Sequence, residues 1–121
     1  MLVANWLVVT GPMDRRQAFV DEMVTRYHDE EDNEDITLLL DFNKIIPLVG
    51  DAGETWGCEQ PFHVECSHGE QQTTYAFLTR WDPPNRAWLD AVCKKLPCSL
   101  VFAYNPGRNW QHDPTMLKHT L

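Results

Sequence analysis

A chain of 121 residues, 43% apolar and holding five tryptophans, is long enough for one domain with a real hydrophobic core and too apolar for a disordered protein. No apolar run approaches the roughly 20 residues that a membrane helix needs. The net charge of −8 disfavours direct binding to nucleic acid, because phosphate contacts need clustered Lys and Arg.

In chain order, residues 3–10 are rich in β-formers and end at the breaker pair Gly11–Pro12, which predicts a first strand rather than a signal peptide. Asp14 is a candidate N-cap, with Gln17 completing a capping-box pattern. Phe19, Val20, Met23, Val24 and Tyr27 fall at helical spacing and predict a helix over 15–27. An acidic tract follows at once: Asp29, Glu30, Glu31, Asp32, Glu34 and Asp35. Without these six, 12 acidic residues face 10 basic ones, a balance of −2. The acidity is therefore one local tract on a nearly neutral domain. Carboxylates at a helix C-terminus oppose the macrodipole, so the helix is expected to end there.

Residues 36–40 form a short β-leaning run, and Pro47 marks the following stretch as an edge or a loop. Residues 50–57, with Gly50, Gly53 and Gly57, read as loop. Residues 62–66 and 73–80 predict a hairpin turning at 67–70. Asn85 is the expected N-cap of a second helix, whose apolar face is Trp88, Leu89, Val92 and Leu96 and which Pro97 stops. Residues 99–104 predict a last strand, and 105–121 an irregular C-terminal tail. The order β-α-(β)-β-β-α-β gives an α+β fold over 1–104. It is a ferredoxin-like split βαβ sandwich, an antiparallel sheet with two helices on one face.

Four strings carry a family resemblance: Asn5 to Gly11, Phe42 to Pro47, Thr55-Trp56-Gly57, and Arg80 to Pro84 with Trp88-Leu89 and Lys94 to Pro97. On these the chain resembles the YubB-like ferredoxin-like domain family of phages and plasmids. The resemblance implies a ferredoxin-like fold and a mobile-element origin, and it names no activity. The chain departs from the family's pattern in a shorter stretch between Pro47 and Trp56, and in Thr55 where the family has Asn.

Four candidate sites follow. Cys58, His63, Cys66 and His68 are zinc-type ligands within eleven residues, but without CxxC or HxxxH spacing, and His63 falls on the opposite strand face from Cys66 and His68. The four cysteines, Cys98 and Cys93 included, are expected to be thiols in a reducing cytoplasm, with no cofactor. The acidic tract lacks the EF-hand pattern and reads either as a solvated loop or as a surface for a basic partner. Trp56, Trp81, Pro83, Pro84 and Trp88 form an aromatic and proline patch in which Trp88 is expected in the core and Trp56, in a Gly-flanked loop, is the contact candidate. Ser67, His63 and Asp51 can be drawn as a triad, without any nucleophile-elbow, Walker or H-E-x-x-H motif.

The leading expectation is a non-catalytic, cytoplasmic binding protein that occludes a basic host surface, such as that of a nucleic-acid-binding defence component (anti-CRISPR-like). The tract supplies charge and Trp56 the apolar anchor. The alternatives are a small zinc-dependent or hydrolytic enzyme using 58–68, and a structural homo-oligomer.

Overall fold

The structure is a computed structural model that describes residues 1–95, 99–106 and 115–119. Its elements are β1 (Leu2–Thr10), α1 (Met13–Met23), β2 (Thr25–Asp29), β3 (Glu34–Leu38), a 3₁₀ turn (Phe42–Lys44), α2 (Ala52–Trp56), β4 (Phe62–His68), β5 (Gln72–Arg80), α3 (Arg86–Lys95), β6 (Ser99–Pro106) and β7 (Thr115–His119). The fold is mixed α+β. β4, β5, β1 and β6 form an antiparallel sheet in that order, and β7 pairs antiparallel along the outer edge of β6.

β1 lies between β5 and β6, so both its edges are hydrogen-bonded to neighbours, and Val3, Ala4, Asn5, Leu7 and Val9 are all buried. In register, Leu7 stands opposite Tyr75 and Phe102, and Val9 opposite Thr73 and Leu100, which places these side chains on one face of the pleat. Phe19 and Met23 of α1 and Trp88, Leu89 and Val92 of α3 share one buried cluster with that face. Phe42, from the 3₁₀ turn, packs within it: its ring centroid is 4.1 Å from Trp88, 5.7 Å from Trp56 and 6.1 Å from Phe77.

α1 ends at Met23, four residues before the predicted end. Val24 is extended, Thr25 opens a strand, and the Met23 carbonyl accepts the Asp41 N–H at 2.9 Å. β-branched residues give up helix readily when another partner satisfies the last carbonyls. Tyr27 is therefore on a strand and half exposed instead of on the apolar stripe. The capping box does not form either: Pro12 holds the N-cap position without a side-chain bond, and Gln17 donates to Asp21 at 2.9 Å. Residues 36–40 do not join the main sheet. β3 pairs only with β2, Thr25 opposite Leu38 through Asp29 opposite Glu34.

The 50–57 stretch holds α2, capped by Asp51, whose carboxylate accepts the Gly53 N–H at 2.6 Å. Gly57, at φ 85°, ends it; a Cβ there would sit 2.7 Å from the Asn85 Cβ. The close approach lets the Asn85 N–H reach the Trp56 carbonyl at 2.6 Å, while Asn85 Oδ1 caps α3 by accepting the Trp88 N–H at 2.8 Å. The 62–80 hairpin forms in the expected place, with a bulge between Phe62 and Glu65 that leaves His63 at φ 50°. β6 runs two residues past its predicted end, and Thr115–His119 is a strand where irregular tail is expected, because the β6 edge offers it a ladder. Leu96, Pro97, Cys98 and residues 107–114 and 120–121 lie outside the described residues.

Arg16 holds the base of the sheet. It is buried, and its guanidinium donates to the Gly11 carbonyl (2.8 Å), the Gly69 carbonyl (3.0 Å), the Glu70 carbonyl (2.8 Å) and Thr73 Oγ1 (3.0 Å). One planar fork thereby ties the β1–α1 turn to the β4–β5 turn.

Candidate functional site

The acidic tract is the tip of the β2–β3 hairpin. Asp29 and Glu34 are the last cross-strand pair, and Glu30, Glu31, Asp32 and Asn33 make the turn. Asp29 Oδ1 accepts the Glu31 N–H at 3.0 Å and the Asp32 N–H at 3.5 Å, and Asn33 takes φ 51°, a conformation that Asn tolerates. The sequence folds this way because an Asx-turn and a left-handed Asn close a turn without a glycine.

Glu30, Glu31, Asp32, Glu34 and Asp35 are exposed and Asp29 is half-buried. Two carboxylates directly opposite each other are unfavourable in a strand pair. The hairpin keeps its Asp29–Glu34 pair with one described ion pair on the tract, Asp35 Oδ1 to His28 Nδ1 at 2.8 Å; the other ring nitrogen lies 3.1 Å from Asn33 Oδ1. Asp35 is 93% exposed, so solvent screens this contact and it adds little stability. The charge is held in a fixed turn and is not consumed by the fold.

The hairpin is tied to the domain at its root. Asp41 is buried; Oδ2 accepts the Thr25 hydroxyl at 2.6 Å, and Oδ1 accepts the Asn43 N–H at 3.0 Å and the Gln60 amide at 2.7 Å. Gln60 Oε1 in turn accepts the Phe42 N–H at 3.0 Å. Burial pushes the Asp41 carboxyl up, but the bonds from Thr25, Gln60 and Asn43 outweigh it and hold it below its usual value of 3.8.

Trp56 is not the exposed anchor. It is 1% exposed, sits edge-on to Phe42 and donates its indole N–H to the Ile46 carbonyl at 2.8 Å. A helix formed where a loop is expected, and it turned the ring inward. Trp88 is buried as expected. The most exposed aromatic among the described residues is Trp81, 68% accessible, in a tight turn at φ 69° where the Asp82 N–H meets the Arg80 carbonyl at 2.8 Å. That is γ-turn bonding around a bulky residue in a strained region. The breaker run after Trp81 was the available signal.

The proposed zinc ligands are dispersed in role. Cys58 is buried, and burial with the nearby Asp82 and Glu59 charges pushes its thiol up to about 12. Burial also pushes Cys66 up, partly offset by Tyr75, and pushes Cys93 up with help from Asp90. His68 Nδ1 pairs with Thr73 Oγ1 at 2.8 Å. Among the described residues no three His, Cys, Asp or Glu side chains are grouped to hold a metal ion. Thiols held protonated are poor nucleophiles and poor ligands. The triad drawn on paper is not linked by hydrogen bonds among the described residues, since Asp51 is engaged by Gly53. No described helix is long and apolar enough to cross a membrane.

No family model, no curated protein and no solved structure matches the chain.

Proposed function

We propose that this chain is a non-catalytic protein-binding module of a mobile genetic element, built on a ferredoxin-like split βαβ scaffold, that inhibits host defence by occluding a basic protein surface. The scaffold reading is supported by the strand order β4-β5-β1-β6, in which β5 lies between β1 and β4 and β1 lies between β5 and β6. The single observation that supports the functional reading is the hairpin tip. Five exposed carboxylates project on a turn whose backbone is satisfied by the sixth, Asp29, with a like-charge pair left facing across the strands. Such a field attracts Lys- and Arg-lined grooves and occupies them where phosphate would bind. A nucleic-acid channel of a defence nuclease, of the CRISPR effector kind, is the partner class with that chemistry.

The test is affinity capture from the native host, with the wild type beside a variant carrying Asn or Gln at all six acidic positions. The expected result is a basic partner retained by the wild type, released by salt and lost with the variant. Equal capture by both proteins contradicts the reading.

A further inference from the structure

The free edge of the hairpin and the outer edge of the main sheet line one cleft. Residues 37–40 form one wall and residues 61–64 the other, enclosing about 230 Å³. Among the described residues β3 pairs only with β2 and β4 only with β5, and no backbone hydrogen bond joins the two walls. The Asp41–Gln60 bond closes one end, at 2.7 Å. From there β3 leads back toward the acidic tip, and β4 runs onward from Phe62. The lining is mostly apolar and incompletely covered: Leu38, Phe62 and Val64 are half-buried, and Leu39 is exposed together with the polar Thr37 and His63.

The volume suits one large side chain: an aromatic residue fills such a pocket and a strand of several residues does not. The bulge between Phe62 and Glu65 argues the same way, because an irregular edge is a poor template for a regular ladder. Charge fixes what surrounds the anchor. Asp35 and Glu34 lie two and three residues from Thr37 along β3, about 7–10 Å at the rise of an extended chain. Glu65 follows Val64 on the other wall. Two cations flank the walls: Arg80 stacks over Phe62 at 4.9 Å, and Arg26 of β2 is the cross-strand partner of Thr37; the carboxylates of Glu34, Asp35 and Glu65 outnumber them three to two.

The geometry points to this cleft as the anchor pocket for an extended partner segment that places one aromatic side chain between the two walls and basic residues two to four positions away, over the hairpin carboxylates. The inference rests on the binding role proposed for the hairpin, and adds to it an apolar determinant that charge alone does not supply. The partner is thus a protein segment with an aromatic residue among arginines or lysines. It is neither a polyanion nor a second copy of this acidic chain.

Two synthetic probes test it by isothermal titration calorimetry and by amide chemical shifts: acetyl-Arg-Ser-Arg-Ser-Trp-Ser-Arg-Ser-Arg-amide, and the same peptide with Ser for Trp. The tryptophan probe is expected to bind about tenfold or more tightly than the serine probe, the effect of burying one aromatic side chain. Its additional shifts are expected at residues 37–40 and 61–64. Val64→Glu is expected to reduce the tryptophan probe to the level of the serine probe; Leu39→Ser is the second variant should Val64→Glu not fold, and the same loss of preference is expected of it. Equal affinity for the two probes, or a tryptophan preference that survives the variant, overturns the anchor pocket. A serine probe that still binds in a salt-dependent manner leaves the acidic reading standing. Loss of both probes overturns the two together.

Discussion

Arg16 and the β2–β3 hairpin treat charge in opposite ways. Arg16 is a lone buried cation met by three carbonyls and a hydroxyl, four bonds between 2.8 and 3.0 Å. The hairpin tip carries six carboxylates with one imidazole beside them, and five of the six are exposed. The first charge is committed to joining two turns. The second set is displayed, and its like-charge pair makes the hairpin slightly worse as a hairpin. Substitution therefore separates the two regions: the stability of one and the binding of the other should change independently.

The largest effect is expected at Arg16. Arg16→Ala removes four charge-assisted hydrogen bonds, one of them to the buried Thr73 hydroxyl, and is predicted to destabilise by about 3–5 kcal/mol, read from urea unfolding. Arg16→Lys recovers only part, because an ammonium cannot span both turns as the planar fork does. Nearly as large is Trp56→Ala, at about 3–5 kcal/mol for the cavity left beside Phe42, set against a change within about 0.5 kcal/mol for Trp81→Ala on the surface. Comparable losses at both positions would contradict the assignment of Trp56 to the core.

The hairpin root is intermediate. Asp41→Asn is predicted to cost about 1–2 kcal/mol, because the amide no longer offers a charged acceptor to Thr25, Gln60 and Asn43. The pH dependence has a definite sign. The folded carboxyl titrates below the unfolded one, so its contribution is present above the usual carboxylate value. It is lost as pH falls through the depressed folded value. Acid titration of unfolding free energy should show a smaller decline for Asp41→Asn than for the wild type below about pH 4.

The smallest stability effect is expected at the tip. Glu34→Lys removes the like-charge pair with Asp29 and should stabilise by about 0.2–1 kcal/mol, read from the thermal midpoint.

Much of the fold is legible in the sequence where one element decides its own fate. β1, β5 and α3 have strong local signals: alternation in Tyr75, Phe77 and Thr79, and an Asn85 cap ahead of an apolar face. Legibility fails where a distant residue decides. α1 stops at Met23 because Asp41, eighteen positions on, takes its carbonyl. Trp56 turns inward because Phe42 and the Ile46 carbonyl receive it. The acidic tract was visible as charge, but its closure into a hairpin depended on an Asx-turn and a left-handed Asn33. The cleft had no sequence signal, since its walls come together through the bonds of Gln60 to Asp41 and to the Phe42 N–H, residues far apart in the chain.

Urea unfolding of the chain with all six tract carboxylates replaced by Asn or Gln asks most directly whether their charge serves the fold. The account predicts a free energy equal to or slightly above that of the wild type, with an unchanged denaturant dependence. A loss of more than about 1 kcal/mol would show that the carboxylates are structural and contradict it.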